Sequence, residues 1–187
     1  MKITLLGNCQ TKALTWYIQQ LNENFEVKWL QLEFGRGSAW AQPGIFRKKS
    51  IPTITGTEDS IERLKDSSFL IYQTILPGTS KNFNFQKIKS YNPECHFISI
   101  SSFFYQPEDP QEEALKGMIS RANKYNIDIP AHKIIEKHGS KIEVEQKNHP
   151  KVFYFLELVR EICAKTGWDY YSDAQYNQYL KEGYPFG

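Results

Sequence analysis

The chain has 187 residues, of which 40% are hydrophobic and 24% are charged, and its formal net charge is +2. This length predicts one domain over residues 1–187, and so small a net charge argues against nucleic acid as the main partner. No apolar run approaches the roughly 20 residues that a membrane-spanning helix needs. Three widely spaced cysteines, Cys9, Cys95 and Cys163, indicate neither a disulfide framework nor a zinc site, and they suit a reducing cytoplasm.

The first ten residues predict a strand that turns sharply into a helix. Ile3–Leu6 is a short apolar run, which is typical of a buried strand. Gly7 and Asn8 interrupt this run, and both residue types tolerate a positive φ. From Thr11 onwards, apolar residues recur at three- and four-residue steps, which indicates an amphipathic helix. We therefore expect Cys9 at the N-terminus of this helix.

This position would suit Cys9 as a nucleophile. The N–H groups of a first helical turn have no acceptor within the helix, and the helix dipole is positive there. Such surroundings can lower the pKa of a thiol and can hold an anion or a developing oxyanion. Alternatively, Cys9 is a buried cysteine that packs as a small hydrophobic side chain, although its neighbours Asn8 and Gln10 are polar.

Further strands and helices alternate along the chain. Apolar runs predict strands at residues 25–30, 69–72 and 95–100, and a strand or extended segment at 142–146. Capping residues and apolar periodicity predict helices at 57–64, 85–91, 111–122, 131–138, 150–166 and 172–182, with Pro150 at a first helical position. Residues 32–56 are rich in glycine and proline and predict an irregular connection.

This alternation predicts an α/β fold with a mostly parallel sheet, flanking helices and extra C-terminal helices. Ligands of such sheets bind beyond the carboxyl ends of the strands. The predicted strand ends carry polar residues, and we expect the candidate site there, at Gly7, Asn8, Cys9, Gln10, Gln73 and Ser101.

Cations and aromatic residues alternate in the irregular segment 32–56. Arg36, Arg47 and Lys48 could bind a phosphorylated or nucleotide-containing ligand. The alternative is a solvated loop that a few aromatic side chains anchor to the domain.

Four histidines are candidates for the base that a nucleophilic cysteine needs. His96 falls inside a predicted strand, where a structural role is expected, and His132 and His138 fall in a polar segment, where solvated side chains are expected. His149 immediately precedes Pro150 and the strongest amphipathic helix, which predicts an exposed imidazole on a fixed backbone. Its alternative role is to cap that helix. No two histidines have the spacing of metal ligands on one helix face, so no metal site is predicted.

Two motifs resemble the WcbI-type family of capsular-polysaccharide biosynthesis proteins. These are Gly7-Asn8-Cys9-Gln10 after the first strand and Asn148-His149-Pro150 before a C-terminal helix. Tyr72-Gln73 and the segment 99–105 resemble the middle of that family. The resemblance implies an acetyltransferase that binds coenzyme A or its acetyl ester. It also implies a flavodoxin-like three-layer fold similar to the SGNH hydrolases, with Cys9 in place of the serine of their Gly-Asp-Ser-Leu motif.

By this resemblance Cys9 is the nucleophile and His149 is the base, and Asn8, Gln10 and Gln73 line the site. The SGNH hydrolases carry an aspartate three residues before the catalytic histidine, where this chain has Gln146. A cysteine–histidine pair can work without that acid, because a thiolate forms more readily than an alkoxide.

We therefore expect an acyltransferase that moves an acyl group, expected to be acetyl, from acetyl-coenzyme A to a sugar hydroxyl of a polysaccharide or glycan precursor. Arg36, Arg47 and Lys48 would contact the phosphates of coenzyme A. The amides near Cys9 and the side chain of Gln10 would stabilise the oxyanion. Two alternatives stay open, namely a cysteine-dependent ester or thioester hydrolase and a non-catalytic sugar- or nucleotide-binding module.

Overall fold

The computed structural model describes residues 1–34, 52–54, 58–73, 89–101, 110–139, 144–146 and 149–183. Within these ranges the strands are β1 (Lys2–Gly7), β2 (Glu26–Phe34), β3 (Pro52–Ile54), β4 (Phe69–Gln73), β5 (His96–Ile100), β6 (Val144–Gln146) and β7 (His149–Pro150). The helices are α1 (Cys9–Gln19), α2 (Glu58–Lys65), α3 (Gln111–Tyr125), α4 (Ala131–Lys137), α5 (Val152–Thr166) and α6 (Asp173–Glu182). The predicted helices that begin near residues 57, 111, 131 and 172 are thereby confirmed.

The main sheet has the strand order β3-β2-β1-β4-β5, in which β1, β2, β4 and β5 run parallel. The predicted α/β class with a parallel sheet and flanking helices is therefore confirmed. Chain order reverses between β1 and β4, because β2 lies on one side of β1 and β4 on the other. In an open parallel sheet this reversal leaves a crevice at the carboxyl ends of the two strands, where ligands bind.

The outer edge of β5 is partly covered by the segment before α4. Ile129 forms a parallel bridge with Ile100. Its N–H donates to the carbonyl oxygen of Ser99 at 3.0 Å, and its own carbonyl oxygen accepts from Ser101 at 3.2 Å. These bonds hold the segment that leads into α4 beside the carboxyl end of β5.

Helices cover both faces of the sheet, which gives three layers. Side chains alternate along a strand, so Ile3 and Leu5 of β1 face one side and pack in a buried cluster with α1, α4 and α5. On the other side, Leu6 and Leu70 pack with Leu64 of α2. None of the helices in the described ranges is long and apolar enough to cross a bilayer.

Two predictions about local structure were wrong. The segment expected to be irregular contains β3, which pairs antiparallel with the end of β2. This strand is only three residues long and begins with Pro52, which an edge strand tolerates, so it leaves no alternating pattern in the sequence. Pro150 does not begin a helix, because it pairs with Val144 in the β6–β7 ribbon. The residue before a proline favours an extended backbone, which suits His149 as a strand residue.

Candidate functional site

Asn8 holds the turn between β1 and α1 by capping the helix. Its Oδ1 accepts from the N–H of Gln10 at 2.9 Å, and its carbonyl oxygen accepts from the N–H of Thr11 at 3.0 Å. Helix α1 therefore begins at Cys9, as predicted. The turn needs no positive φ, because Asn8 has φ −83° and ψ −164° and Gly7 does not adopt a positive φ either.

Position 7 requires a glycine because the surrounding atoms leave no room for a side chain. A Cβ at Gly7 would lie 2.5 Å from Oε1 of Gln73 and 2.6 Å from Cγ2 of Thr11, and real Cβ atoms do not approach that closely. Trp29 closes the same corner, since its Nε1 donates to the carbonyl oxygen of Gly7 at 3.2 Å and to Oγ1 of Thr11 at 3.0 Å. The absent side chain of Gly7 thus lets Gln73 reach the backbone after β1.

Gln73, at the end of β4, bridges the crevice between β1 and β4. Its Oε1 accepts from the backbone N–H of Asn8 at 2.8 Å, and its Nε2 donates to Oε1 of Gln10 at 3.3 Å. Because a backbone N–H can only donate, this contact determines which end of the Gln73 amide is oxygen. Both glutamines are buried, at 4% and 6% exposure. The fold therefore brings together Asn8, Gln10 and Gln73, which sequence analysis placed in one site.

A cleft opens beside this amide pair, between the carboxyl edge of the sheet and helices α1, α4 and α5. Gln10, Gln73 and Ser101 lie at its polar end. Its apolar walls include Leu14 of α1, Ile134 of α4 and Phe155 of α5, and its volume is about 30 Å³. The amphipathic patterns of these helices predict core packing, so the sequence carries no signal that these three side chains line a cleft.

The Cys9 residue is exposed, whereas Cys95 and Cys163 are buried. The interpretation of Cys9 as a buried hydrophobic side chain is therefore wrong. Sequence analysis noted that a helix N-terminus can lower the pKa of the Cys9 thiol, but the net shift has the opposite direction. The protein atoms around the sulfur desolvate it and raise the pKa above its ordinary value, although the backbone N–H groups of Cys9 and Gln10 act in the opposite direction.

Several backbone amides near Cys9 already have acceptors in the fold. The N–H of Asn8 donates to Gln73, the N–H of Gln10 donates to Asn8, and the N–H of Thr11 donates to the carbonyl oxygen of Asn8. The predicted oxyanion site of backbone amides is therefore largely used by the helix cap. The side-chain amides of Gln10 and Gln73 also line the cleft.

The backbone of His149 lies in β7, opposite Gln146, and its side chain is outside the described residues. Pro150, the next residue, is buried and lines the cleft. His149 is not the cap of α5, because Lys151 occupies that position. The pairing of Cys9 with His149 stays a prediction.

Among the other histidines, His132 differs from expectation. His132 was predicted to be solvated, but it is buried, and its Nδ1 has no hydrogen-bond partner among the described residues. His138 is exposed, as predicted, and its Nε2 also lies 3.2 Å from Oε2 of the buried Glu157. The spacing of His132 to the buried Ile135 is one helical turn, which could have indicated an inward side chain. His96 is exposed, and its ring stacks on Phe69.

Some predicted ligand contacts fall on other parts of the chain. Arg36, Arg47 and Lys48 lie outside the described residues, so their proposed contact with phosphates stays a prediction. Within the described ranges, no group of three or more histidine, cysteine, aspartate or glutamate side chains could hold a metal ion.

The sequence matches no protein-family model, and no curated protein matches it significantly. The resemblance to the WcbI-type family thus rests on its motifs. The structure itself defines a three-layer α/β protein with a cleft at the carboxyl edge of a parallel sheet.

Proposed function

We propose that the chain is an acyltransferase that moves an acyl group from a coenzyme A thioester to a sugar hydroxyl, with an SGNH-hydrolase-like arrangement of Cys9 and His149. One observation carries the proposal. Gln10 and Pro150 line the same cleft, and they are the chain neighbours of Cys9 and His149. Cys9 and His149 are far apart in sequence, yet each is adjacent in the chain to a residue that lines this cleft. The cleft lies at the edge of the sheet where α/β proteins bind ligands.

The reaction has two steps on the Cys9 sulfur. In the first step His149 takes the thiol proton, the Cys9 sulfur bonds to the acyl carbon, and the carbon–sulfur bond of the thioester breaks. The leaving thiolate takes the proton from His149. In the second step the sugar hydroxyl gives its proton to His149 and bonds to the acyl carbon, and the Cys9 sulfur leaves and is reprotonated. Because desolvation raises the pKa of the Cys9 thiol, the thiol needs a base to give up its proton, and this scheme assigns that role to His149.

The amide pair gives the cleft a donor for the carbonyl oxygen that becomes negative during the transfer. Gln73 presents its NH₂ group towards Gln10, since Asn8 occupies its Oε1. A preorganised donor in a buried position stabilises the transition state more than a solvated one. The phosphates of coenzyme A would be bound by Arg36, Arg47 and Lys48. The protein would act in the cytoplasm.

Hydrolysis is the second candidate, because the exposed Cys9 is accessible to water as well as to a sugar. Water would then remove the acyl group from the sulfur. A binding module is the third possibility, and in that case Cys9 would not be acylated at all.

The proposal is tested by incubating the protein with acetyl-coenzyme A and measuring thiol release and acyl-protein mass, with and without a panel of sugars. Cys9→Ala and His149→Ala should each abolish most of the thiol release, and the double variant should be little worse, because residues that act as a unit give non-additive losses.

His96→Ala is the matched control, since His96 is exposed at the amino end of β5, away from the cleft. Unchanged turnover in His149→Ala would overturn the mechanism. Sugar-independent release would indicate the hydrolase, and a thermal shift without release would indicate the binding module.

A further inference from the structure

The cleft lined by Gln10 and Gln73 has a composition that favours a particular kind of chemical group. Its walls are formed by buried aliphatic and aromatic side chains, with Leu14 and Ile100 at 1% exposure, Phe155 at 3% and Ile134 at 5%. The lining residues in the described ranges carry no charge. Such a surface gains free energy by covering apolar atoms and loses it if it desolvates an ion.

The polar end of the cleft adds a hydrogen-bonding requirement. The buried amides of Gln10 and Gln73 lie there, joined by the bond from Nε2 to Oε1 at 3.3 Å. Buried amide groups favour a ligand that brings a hydrogen-bond acceptor and no charge. A carbonyl oxygen meets both conditions.

The size of the cleft restricts the ligand further. A volume of about 30 Å³ leaves room for only a few water-sized groups. A short acyl group suits that space, and a longer chain would be enclosed only if a wall residue moved. Leu14 and Ile134 come from different helices, α1 and α4, and both are packed in the core.

We propose that this cleft holds the acyl group of the substrate, and that Leu14 and Ile134 limit that group to two or three carbons. The inference rests on the proposed function, because the acyl group must be bound to or near the sulfur of Cys9. Gln10 connects the two features, since it follows Cys9 in the chain and lines the cleft. Leu14 and Ile134 are then specificity-determining residues that take no part in proton transfer.

The test measures binding apart from chemistry. Acetyl, butyryl and hexanoyl thioesters of N-acetylcysteamine are titrated into a Cys9→Ala protein, which cannot be acylated at that position, and affinities are read by ligand-observed NMR. We expect the acetyl thioester to bind more tightly than the two longer ones. Adding Ile134→Ala should tighten butyryl binding about fourfold for each methylene newly accommodated, with little change for acetyl.

Two further variants keep the test decisive. Ile134→Val removes less of the core and should shift the preference in the same direction if Ile134→Ala does not fold. Leu64→Ala is the matched control, because it truncates a buried aliphatic side chain on the opposite face of the sheet and should leave the order of affinities unchanged. Equal affinity for all three thioesters, or an equal shift of all three in the Ile134 variants, would overturn the proposal.

The outcomes separate this inference from the proposed function. A selection for short chains in the Cys9→Ala protein, without acylation of the native protein, would support the cleft assignment and contradict the acyltransferase. Acylation of the native protein without selection for chain length would support the acyltransferase and overturn the cleft assignment.

Discussion

The backbone N–H of Asn8 donates a 2.8 Å hydrogen bond to Oε1 of Gln73, which joins the turn after β1 to the end of β4. These two strand ends lie where the order of the sheet reverses. The bond directs the Gln73 NH₂ group towards Gln10. One contact therefore couples the helix cap, the crevice of the sheet and the polar end of the cleft.

Gln73→Glu should show how much the hydrogen bonds of the Gln73 side chain to Asn8 and Gln10 stabilise the fold. The new carboxylate could still accept from Asn8, but it would have no proton to donate to Gln10. We expect a loss of about 1–3 kcal/mol in the free energy of unfolding, because a buried polar partner is left unsatisfied. The loss should be smallest in acid and grow with pH, since burial raises the pKa of the new carboxyl and only the protonated form can donate. Urea unfolding at several pH values measures both effects.

Gln111→Glu is the control for this substitution. Gln111 is exposed at the first residue of α3, where a negative charge interacts favourably with the helix dipole. Its stability should be unchanged or slightly higher. An equal free energy of unfolding for the two variants would mean that the hydrogen bonds of Gln73 do not contribute to stability.

Gly7→Ala should destabilise the protein by about 1–3 kcal/mol, because the new methyl group overpacks the corner between Gln73 and Thr11. Gly117→Ala is the matched control inside helix α3, where the nearest atom to the new Cβ lies at 3.9 Å on Arg121. That variant should gain about 0.5–1 kcal/mol from helix propensity. Thermal unfolding of both variants gives the comparison, and a neutral Gly7→Ala would contradict the steric role of this glycine.

The start of the site could be predicted from the sequence because its determinants are local. An apolar run forms β1, and the apolar periodicity from Thr11 onwards places Cys9 at the start of α1. The strand β1 and the start of α1 are determined by residues that are close together in the sequence. The carboxyl ends of parallel strands share one edge of a sheet, which is why Gln73 and Ser101 could also be assigned to the site.

Other features depend on distant parts of the chain and could not be predicted. The contact of Asn8 with Gln73 joins residues 65 positions apart. Pairing with β6 overrides the local preference of Pro150 to begin a helix. Likewise, the packing of α4 buries His132 in a segment whose composition is polar. The raised pKa of the Cys9 thiol follows from atoms that surround the sulfur only in the folded chain.

Cysteine alkylation should distinguish Cys9 from the other two cysteines. Iodoacetamide reacts with thiolates, so the rate depends on exposure and on pKa. Burial raises the pKa of Cys95 to about 11 and that of Cys163 to about 12. Mass-spectrometric mapping of the native protein should therefore show Cys9 reacting first, and in urea the three rates should converge.

The pH dependence of this alkylation tests the environment of Cys9. Because desolvation raises the pKa of the thiol, the rate at Cys9 should keep rising through and beyond the ordinary range of thiol ionisation. A rate that levels off below neutral pH would indicate a thiolate stabilised by the helix N-terminus and would contradict the structure.

Arg63 of α2 is a buried cation that anchors the helix to the amino end of the sheet. Its side chain is 8% exposed. The guanidinium donates to Oε1 of Glu26 at 2.6 Å, to the carbonyl oxygen of Glu26 at 2.7 Å and to Oγ1 of Thr4 at 3.2 Å. Partial desolvation raises the pKa of the Glu26 carboxyl, but Arg63, with help from Lys2 and Lys28, holds it below its ordinary value.

Arg63→Gln should lower the free energy of unfolding by about 2–4 kcal/mol, because buried acceptors lose charged donors.

The Arg63→Gln variant should also change how the stability responds to acid. A carboxyl whose pKa is lowered by folding stabilises the protein above its unfolded pKa, and that stability is lost as pH falls through the folded pKa. Without Arg63 the pKa of Glu26 returns towards its ordinary value, so the acid-dependent part of the stability should shrink. Lys65→Gln is the control in the same helix. In the described part of the chain the Lys65 side chain forms only an exposed pair with Glu62, so its loss should cost under about 1 kcal/mol. Urea unfolding at neutral and acidic pH compares the two variants, and equal losses would mean that the buried network of Arg63 contributes no more than a surface ion pair.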